Sequence, residues 1–172
     1  MTTNGHNEFL ELKVNGSATP GDEIKLKDNG KADVEVIWTS VLEQTGRLEL
    51  VLNGKVVATK EGTAKPGEPV IFKTSVPVQE SSWICARRMD EKGHRSHTAP
   101  VYITINNSLV RASAEDAGYF VKWIDKTLVN TSPGGSWSKY FTHDLDIVQN
   151  RYWQARKVYE EIAREATLQH KR

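Results

Sequence analysis

His94-Arg-Ser-His97 is the pair of side chains with the clearest capacity for chemistry in this sequence. Two imidazoles three residues apart can share a metal ion if the backbone turns between them, and Asp90 and Glu91 lie on the approach to the same turn. A zinc centre needs a third ligand and an open position, and on an extended strand residues three apart point to opposite faces. The ligand count is therefore short, and the pair reads as two solvent-facing turn histidines with no metal. His6, His143 and His170 are isolated. Cys85 sits between Ile84 and Ala86, where a thiol behaves as a small buried hydrophobe with a raised pKa and is expected to be inert. The serines occupy caps and loops without a Gly-x-Ser-x-Gly elbow, and Pro133-Gly-Gly-Ser136 lacks the lysine and spacing of a phosphate loop. Glu160-Glu161 and Asp144/Asp146 have basic neighbours on helix flanks and read as solvated faces. No catalytic, cofactor-binding or metal-binding residue is expected.

Two further groups suit recognition rather than reaction. Trp137, Tyr140 and Phe141 crowd a Gly/Ser-rich loop, where exposed rings grip sugars or peptides in many binding modules. The competing and preferred expectation is that these rings cap the helical end of the molecule by packing, because large apolar rings are costly to leave wet. Arg87-Arg88 and Lys92/Arg95 form a small basic patch around one turn, read as a solubilising edge because no aromatics interleave it. Arg164, Lys171 and Arg172 suit the negative end of a helix dipole.

The elements that must carry these residues change character near residue 107. Before it, Val-, Ile-, Thr- and Leu-rich runs alternate with polar residues at period two. They are Phe9–Val14, Glu23–Lys27, Ala32–Trp38, Arg47–Leu52, Lys55–Lys60, Val70–Val76, Trp83–Met89 and Pro100–Ile105, eight strands suited to an antiparallel sandwich. Within Leu48 to Ala58, Asn53-Gly54 offers the positive φ angles of a two-residue type I′ hairpin turn. After residue 107 the period becomes helical. Phe120, Val121, Ile124 and Leu128 share one stripe behind a Ser113 N-cap, predicting a helix over 114–129. Asn130 to Trp137 breaks it with Pro and two glycines, and Leu145, Val148, Tyr152, Ala155, Tyr159 and Ile162 predict a second helix to about Ala166. Two helices with one stripe each bury too little to stand alone, so the expectation is one composite domain: a sandwich over 1–107 with a helical hairpin over 108–172 packed on it.

With 172 residues, 38% of them hydrophobic and 26% charged, the chain can build a core without staples and is neither wholly disordered nor a membrane-spanning chain. Its longest apolar run, Trp83 to Ala86, is far short of the roughly 20 residues a bilayer needs. The net charge of +1 supplies no global field for nucleic acid or an anionic membrane, so neither is expected as a partner. One cysteine excludes an internal disulfide without deciding the compartment. The opening residues lack the basic and apolar regions of a signal peptide, which leaves the native address of a fragment open.

Several phrases taken in order carry a family resemblance: Val14-Asn-Gly, Pro20-Gly-Asp-Glu-Ile24, the run from Leu48 to Ala58, Ser82-Trp-Ile-Cys-Ala-Arg87, His97-Thr-Ala-Pro-Val-Tyr102, and the run from Ala114 to Asp125. From about residue 9 to 163 the chain resembles the C-terminal region of bacterial metal-dependent hydrolases of the CehA/McbA type, in the PHP (polymerase and histidinol phosphatase) superfamily. In that family the metal-binding His and Asp residues lie in a preceding catalytic domain, which this chain does not contain. The resemblance implies an immunoglobulin-like sandwich with a helical tail, docked against a hydrolase domain in the parent protein; the address is left undecided, with a periplasmic or secreted parent favoured over a cytoplasmic one. It transfers no ligand or catalytic residue. Docking contacts are expected on Arg87 and along His97 to Tyr102. The alternative is a free-standing module for carbohydrate or protein, with Trp137 and Tyr140 as its platform.

Overall fold

The computed structural model describes residues 2–3, 8–28, 30–141 and 143–169. The chain divides into two compact units, Met1–Val110 and Arg111–Arg172.

The first unit is a β-sandwich. Its strands are β1 (Thr2–Thr3), β2 (Glu8–Val14), β3 (Glu23–Leu26), β4 (Gly30–Ser40), β5 (Gln44–Leu52), β6 (Lys55–Ala64), β7 (Val70–Val78), β8 (Ser82–Asp90), β9 (Gly93–His97) and β10 (Val101–Ile105). Among the described residues, β2, β4 and β7 form a three-stranded sheet and the other seven strands form the second sheet. Alternation decides what each strand buries. Leu10, Leu12 and Val14 of β2 point inward, as do Val34, Val36 and Trp38 of β4 and Ile84 and Ala86 of β8. They meet between the sheets with Leu48, Leu50, Val101 and Ile103 in one continuous core.

The topology is immunoglobulin-like. In the larger sheet β8 lies between β5 on one side and the β9–β10 segment on the other, and β6 extends the β5 edge. The opening segment serves both sheets: β2 pairs with β4, the chain turns at Asn15 and Gly16 with φ of 49° and 76°, and β3 joins the larger sheet. There β3 runs parallel to β10, with Glu23 opposite Tyr102 and Leu26 opposite Ile105. The antiparallel sandwich expected from the sequence is the architecture found, and among the described strand pairs this one is parallel. Parallel pairing is available because almost the entire unit separates the two strands in sequence and serves as the crossover.

All eight expected strands are present, most of them longer than expected at one end or both. Thr2–Thr3 and Gly93–His97 are additional. Gly93 to His97 contains no apolar side chain, so period-two reading has nothing to detect, and its backbone is held by pairing with β8 on one edge and β1 on the other. The Asn53-Gly54 turn has φ of 48° and 83°, as type I′ requires. Asn53 also accepts a hydrogen bond on Oδ1 from the Trp83 amide at 3.0 Å, which ties this hairpin to β8.

The second unit is a helical pair, α1 (Ala114–Thr131) and α2 (Leu145–Gln169), joined by a 3-10 turn at Ser138–Tyr140. Ser113 caps α1, its hydroxyl accepting from the Asp116 amide at 3.0 Å. The helices meet through Phe120 stacked on Tyr159, with ring centroids 5.0 Å apart, and through Arg156, whose Nε donates to Asp125 at 2.6 Å. Gln149 reaches across to donate to the Leu128 carbonyl at 3.0 Å and the Thr131 hydroxyl at 2.6 Å. Arg111 closes the far end against Glu165 at 2.5 Å. Among the described residues no helix is long and apolar enough to cross a membrane.

Candidate functional site

The outer face of the seven-stranded sheet carries most of the residues singled out by sequence. Along β8, Ser82, Ile84, Ala86 and Arg88 point into the sandwich, so Trp83, Cys85, Arg87 and Met89 belong to the outer face. His97 lies opposite Arg87 and Tyr102 opposite Trp83, which places Arg87, His97 and Tyr102 on one face. Arg87 is in turn opposite Glu49 on β5. Its Nε donates to Glu49 Oε2 at 2.6 Å while Arg47 Nε donates to Oε1 at 2.8 Å. Burial pushes the Glu49 carboxyl upward, but the hydrogen bonds from Arg87 and Arg47 outweigh it and hold the group below its ordinary value.

His94 and His97 do not occupy a turn. Both are on β9, and His97 Nδ1 is 3.1 Å from His94 Nε2, with the rings 5.0 Å apart. A spacing of three should separate them on a regular strand. The pairing register explains why it does not: Arg88 faces Ser96 whereas Met89 faces His94, so Arg95 is an extra residue in a β-bulge. The bulge converts a spacing of three into an effective spacing of two and brings both rings to one side. Arg95, displaced by the bulge, donates to Asp90 Oδ2 at 2.5 Å. Burial, reinforced by the positive charge that His94 can carry, holds His97 below the usual imidazole value.

The basic patch expected around Arg87-Arg88 and Lys92/Arg95 is corrected. Arg88 is only 2% exposed, and its guanidinium lies 4.8 Å from the centre of the buried Trp38 ring. Its Nη2 donates to the Thr45 carbonyl at 3.0 Å, and its Nε is 3.4 Å from the buried Glu8 carboxylate. Glu8 Oε2 accepts from Trp38 Nε1 at 3.0 Å. Among the described residues Glu8 Oε1, Arg88 Nε and Ser96 Oγ find no hydrogen-bond partner, so the two sheets are bridged by a polar cluster that is ion-paired yet incompletely hydrogen-bonded there. Sequence reading missed this cluster. The signal was present in the strand period, since Ile84 and Ala86 facing inward oblige Arg88 to follow.

Other candidates stay apart. Cys85 is half-buried on the outer face, and burial raises its thiol pKa, partly offset by Arg87. An open groove of about 530 Å³ at the end of the sheet is lined by Thr45, Arg47, Glu61, Met89, Asp90 and Lys92. Of its charged groups, Arg47 pairs with Glu49 and Glu61, and Asp90 pairs with Arg95. Among the described residues no three His, Cys, Asp or Glu side chains gather so as to hold a metal ion.

Trp137 and Tyr140 belong to the helical unit. The expected burial of these rings is corrected: Trp137 is 43% and Tyr140 70% exposed, and Lys139 Nζ stands 5.1 Å over the Tyr140 ring. Phe141 is half-buried. The loop's geometry is set by its backbone, where the Trp137 amide donates to the Asn130 carbonyl at 2.8 Å and Gly135 passes so close that a Cβ would lie 2.4 Å from that oxygen. Among the remaining expectations, His143 is exposed and Arg164 pairs with Glu161. His6, His170, Lys171 and Arg172 lie outside the described residues.

No family model matches the chain, and neither does any curated protein. Among solved structures it is similar to the CARDB domain of the Pyrococcus furiosus PF1109 protein, whose crystal structure is a complex with di-metal ions. The identity is 16%, the TM-score 0.39, and the match covers 61% of this chain and 92% of that one. The solution structure of the same domain gives 14% identity and a TM-score of 0.36, covering 58% and 97%. The fibronectin(III)-like modules of Clostridium thermocellum CbhA give 12% identity and a TM-score of 0.34, covering 57% and 99%. The immunoglobulin-like assignment stands on strand order and register, independently of these similarities. Kinship with CehA/McbA-type hydrolases is a matter for proposal.

Proposed function

We propose that this chain is a non-catalytic, immunoglobulin-like accessory module of a PHP-type metal-dependent hydrolase, docked to the catalytic domain through the outer face of its seven-stranded sheet. The observation that carries this reading is the alignment of Arg87, His97 and Tyr102 on one solvent-facing surface, with Tyr102 43% exposed. Reactive side chains near that surface are committed to structure. Glu49 is clamped by two arginines, Asp90 by Arg95, and the Cys85 thiol is raised. A rigid face with a central charged row and flanking aromatics, Trp83 and Tyr102, suits recognition of another folded surface.

The test is a binding measurement between this chain and the hydrolase domain encoded in the same reading frame, produced separately. Micromolar or tighter association that Arg87→Ala and Tyr102→Ala each weaken by about tenfold or more supports the reading. No association, or hydrolysis of ester or phosphoester substrates by this chain alone with added metal, refutes it.

The exposure of Trp137 and Tyr140 supports a second reading, a free-standing module for carbohydrate or a protein segment. Quenching or a blue shift of tryptophan fluorescence on titration with a glycan panel, abolished by Trp137→Ala, would favour it over docking.

A further inference from the structure

We infer that the helical unit binds a second copy of this chain, with α1 packed antiparallel against the second copy's α1 in a four-helix arrangement. The surface is one side of the helical pair. Asp125 and Arg156 meet on the opposite side, at 2.6 Å. Trp123 lies two residues before Asp125 and Val158 two residues after Arg156, a turn of about 200° around each helix axis, which carries both to the other side of the pair. Tyr119 and Phe120 join Trp123 at spacings of four and three, and Tyr119 meets Phe120 edge-on with ring centroids 5.7 Å apart. Tyr119 is 63%, Phe120 43%, Trp123 52% and Val158 57% exposed.

That exposure is enough for a dimer. Aromatic side chains cover about 150–250 Å² each when buried, so these four leave about 400 Å² of side-chain surface on one side of the pair. An interface about 65% apolar at its centre then covers about 600 Å² on each copy, about 1,200 Å² in all, at the lower bound of specific association. A contact of that size is weak, with dissociation at about 10–100 µM.

Charge selects a second copy as the occupant. Along α1 the acids stand in the first turn, Glu115 and Asp116, and the bases further on, Lys122 and Lys126, and all four are exposed. The ion pairs of the helical unit, Arg111 with Glu165, Arg156 with Asp125 and Glu160, and Arg164 with Glu161, leave these four charges out among the described residues. Antiparallel pairing that sets Tyr119 beside the second copy's Trp123 brings each acidic turn alongside the other chain's two lysines. The patch is therefore complementary to itself, as a two-fold contact requires, and each attraction occurs twice. The docking proposal uses the outer face of the sheet and this contact uses the helical unit, so either can fail without the other.

The experiment is sedimentation equilibrium of the full chain over about 5–500 µM, a range that brackets the expected dissociation constant. The expected result is a monomer–dimer equilibrium that Trp123→Ala weakens about tenfold. Two charge-reversed chains, Glu115→Lys/Asp116→Lys and Lys122→Glu/Lys126→Glu, are each checked by far-UV circular dichroism for unchanged helicity. Each alone should lose self-association about tenfold or more, because like charges then face one another, and an equal mixture of the two should dimerise again. A parent chain that stays monomeric throughout, or that takes up the hydrolase domain at this surface instead, overturns the proposal. So does a dimer indifferent to Trp123→Ala, or a mixture of the two folded charge variants that fails to associate.

Discussion

Arg88 is a buried charge in the sandwich, so its removal carries a large energetic consequence. It is a charge with 3% side-chain exposure, placed against Glu8 with none, and both also engage Trp38. Desolvating two such ions nearly cancels their attraction, so the pair adds little net stability, but removing one partner strands the other. Arg88→Ala is expected to lower unfolding free energy by about 3–5 kcal/mol. The double variant Arg88→Met/Glu8→Gln keeps an acceptor for the Trp38 Nε1 and removes both charges, and should recover most of that loss. Urea unfolding of the two variants decides: equal destabilisation would show that shape, not the stranded charge, dominates. The basic appearance of Arg87-Arg88 in sequence concealed two opposite roles. Neighbouring residues on a strand face opposite ways, so Arg87 clamps the buried Glu49 carboxylate on the outer side of the sheet while Arg88 enters the core.

At the scale of elements, bulges and close approaches explain what periodicity could not. The β8–β9 bulge unites His94 and His97, and a second register shift, between Leu50 and Val51, interrupts the β5–β6 pairing near the Asn53-Gly54 turn. Gly46 on β5 illustrates how tightly β5 and β8 meet. A Cβ there would stand 2.6 Å from the Met89 carbonyl and 2.9 Å from Arg88 Nε, and the first of these is backbone that cannot yield cheaply. Gly46→Ala should therefore destabilise by about 1–3 kcal/mol, visible as a lower urea midpoint with an unchanged slope. A neutral outcome would mean that β5 shifts freely against β8. Gly54, by contrast, has no atom near its missing Cβ, and only its φ of 83° restrains substitution. Helix start signals were legible because a cap is local chemistry, as Ser113 demonstrates. Their ends ran beyond the expected residues, α1 to Thr131 and α2 to Gln169, because no strong stop signal sits at Val129 or Ala166.

At the scale of the molecule, the two units differ in how much they can bury. The sandwich unit has a continuous core that includes Leu12, Trp38, Leu50, Ile84 and Ile103. In the helical unit Ala117, Ile124, Thr127, Leu128, Thr131 and Ala166 are the buried residues among those described, and three of the six are threonine or a small alanine on the first helix. Residues 1–110 alone should fold cooperatively, whereas 111–172 alone should show weak helicity, because most helical stability comes from packing. Circular dichroism and thermal melts of the two fragments test this; a stable, cooperatively melting 111–172 would contradict it.

What the sequence determined by itself was everything governed by short-range periodicity and local chemistry: eight strands, the Asn53-Gly54 hairpin, two helices with Ser113 capping the first, and the change of character near residue 107. Local backbone preferences and the inward-outward alternation of side chains need no distant partner to be read. Tertiary structure decided which residues meet. The parallel β3–β10 pair, the Glu8–Trp38–Arg88 cluster and the approach of the two imidazoles each depend on register between strands distant in sequence or on one inserted residue. A shift of one position exchanges the two faces of a strand, so a linear pattern cannot report contacts that register creates.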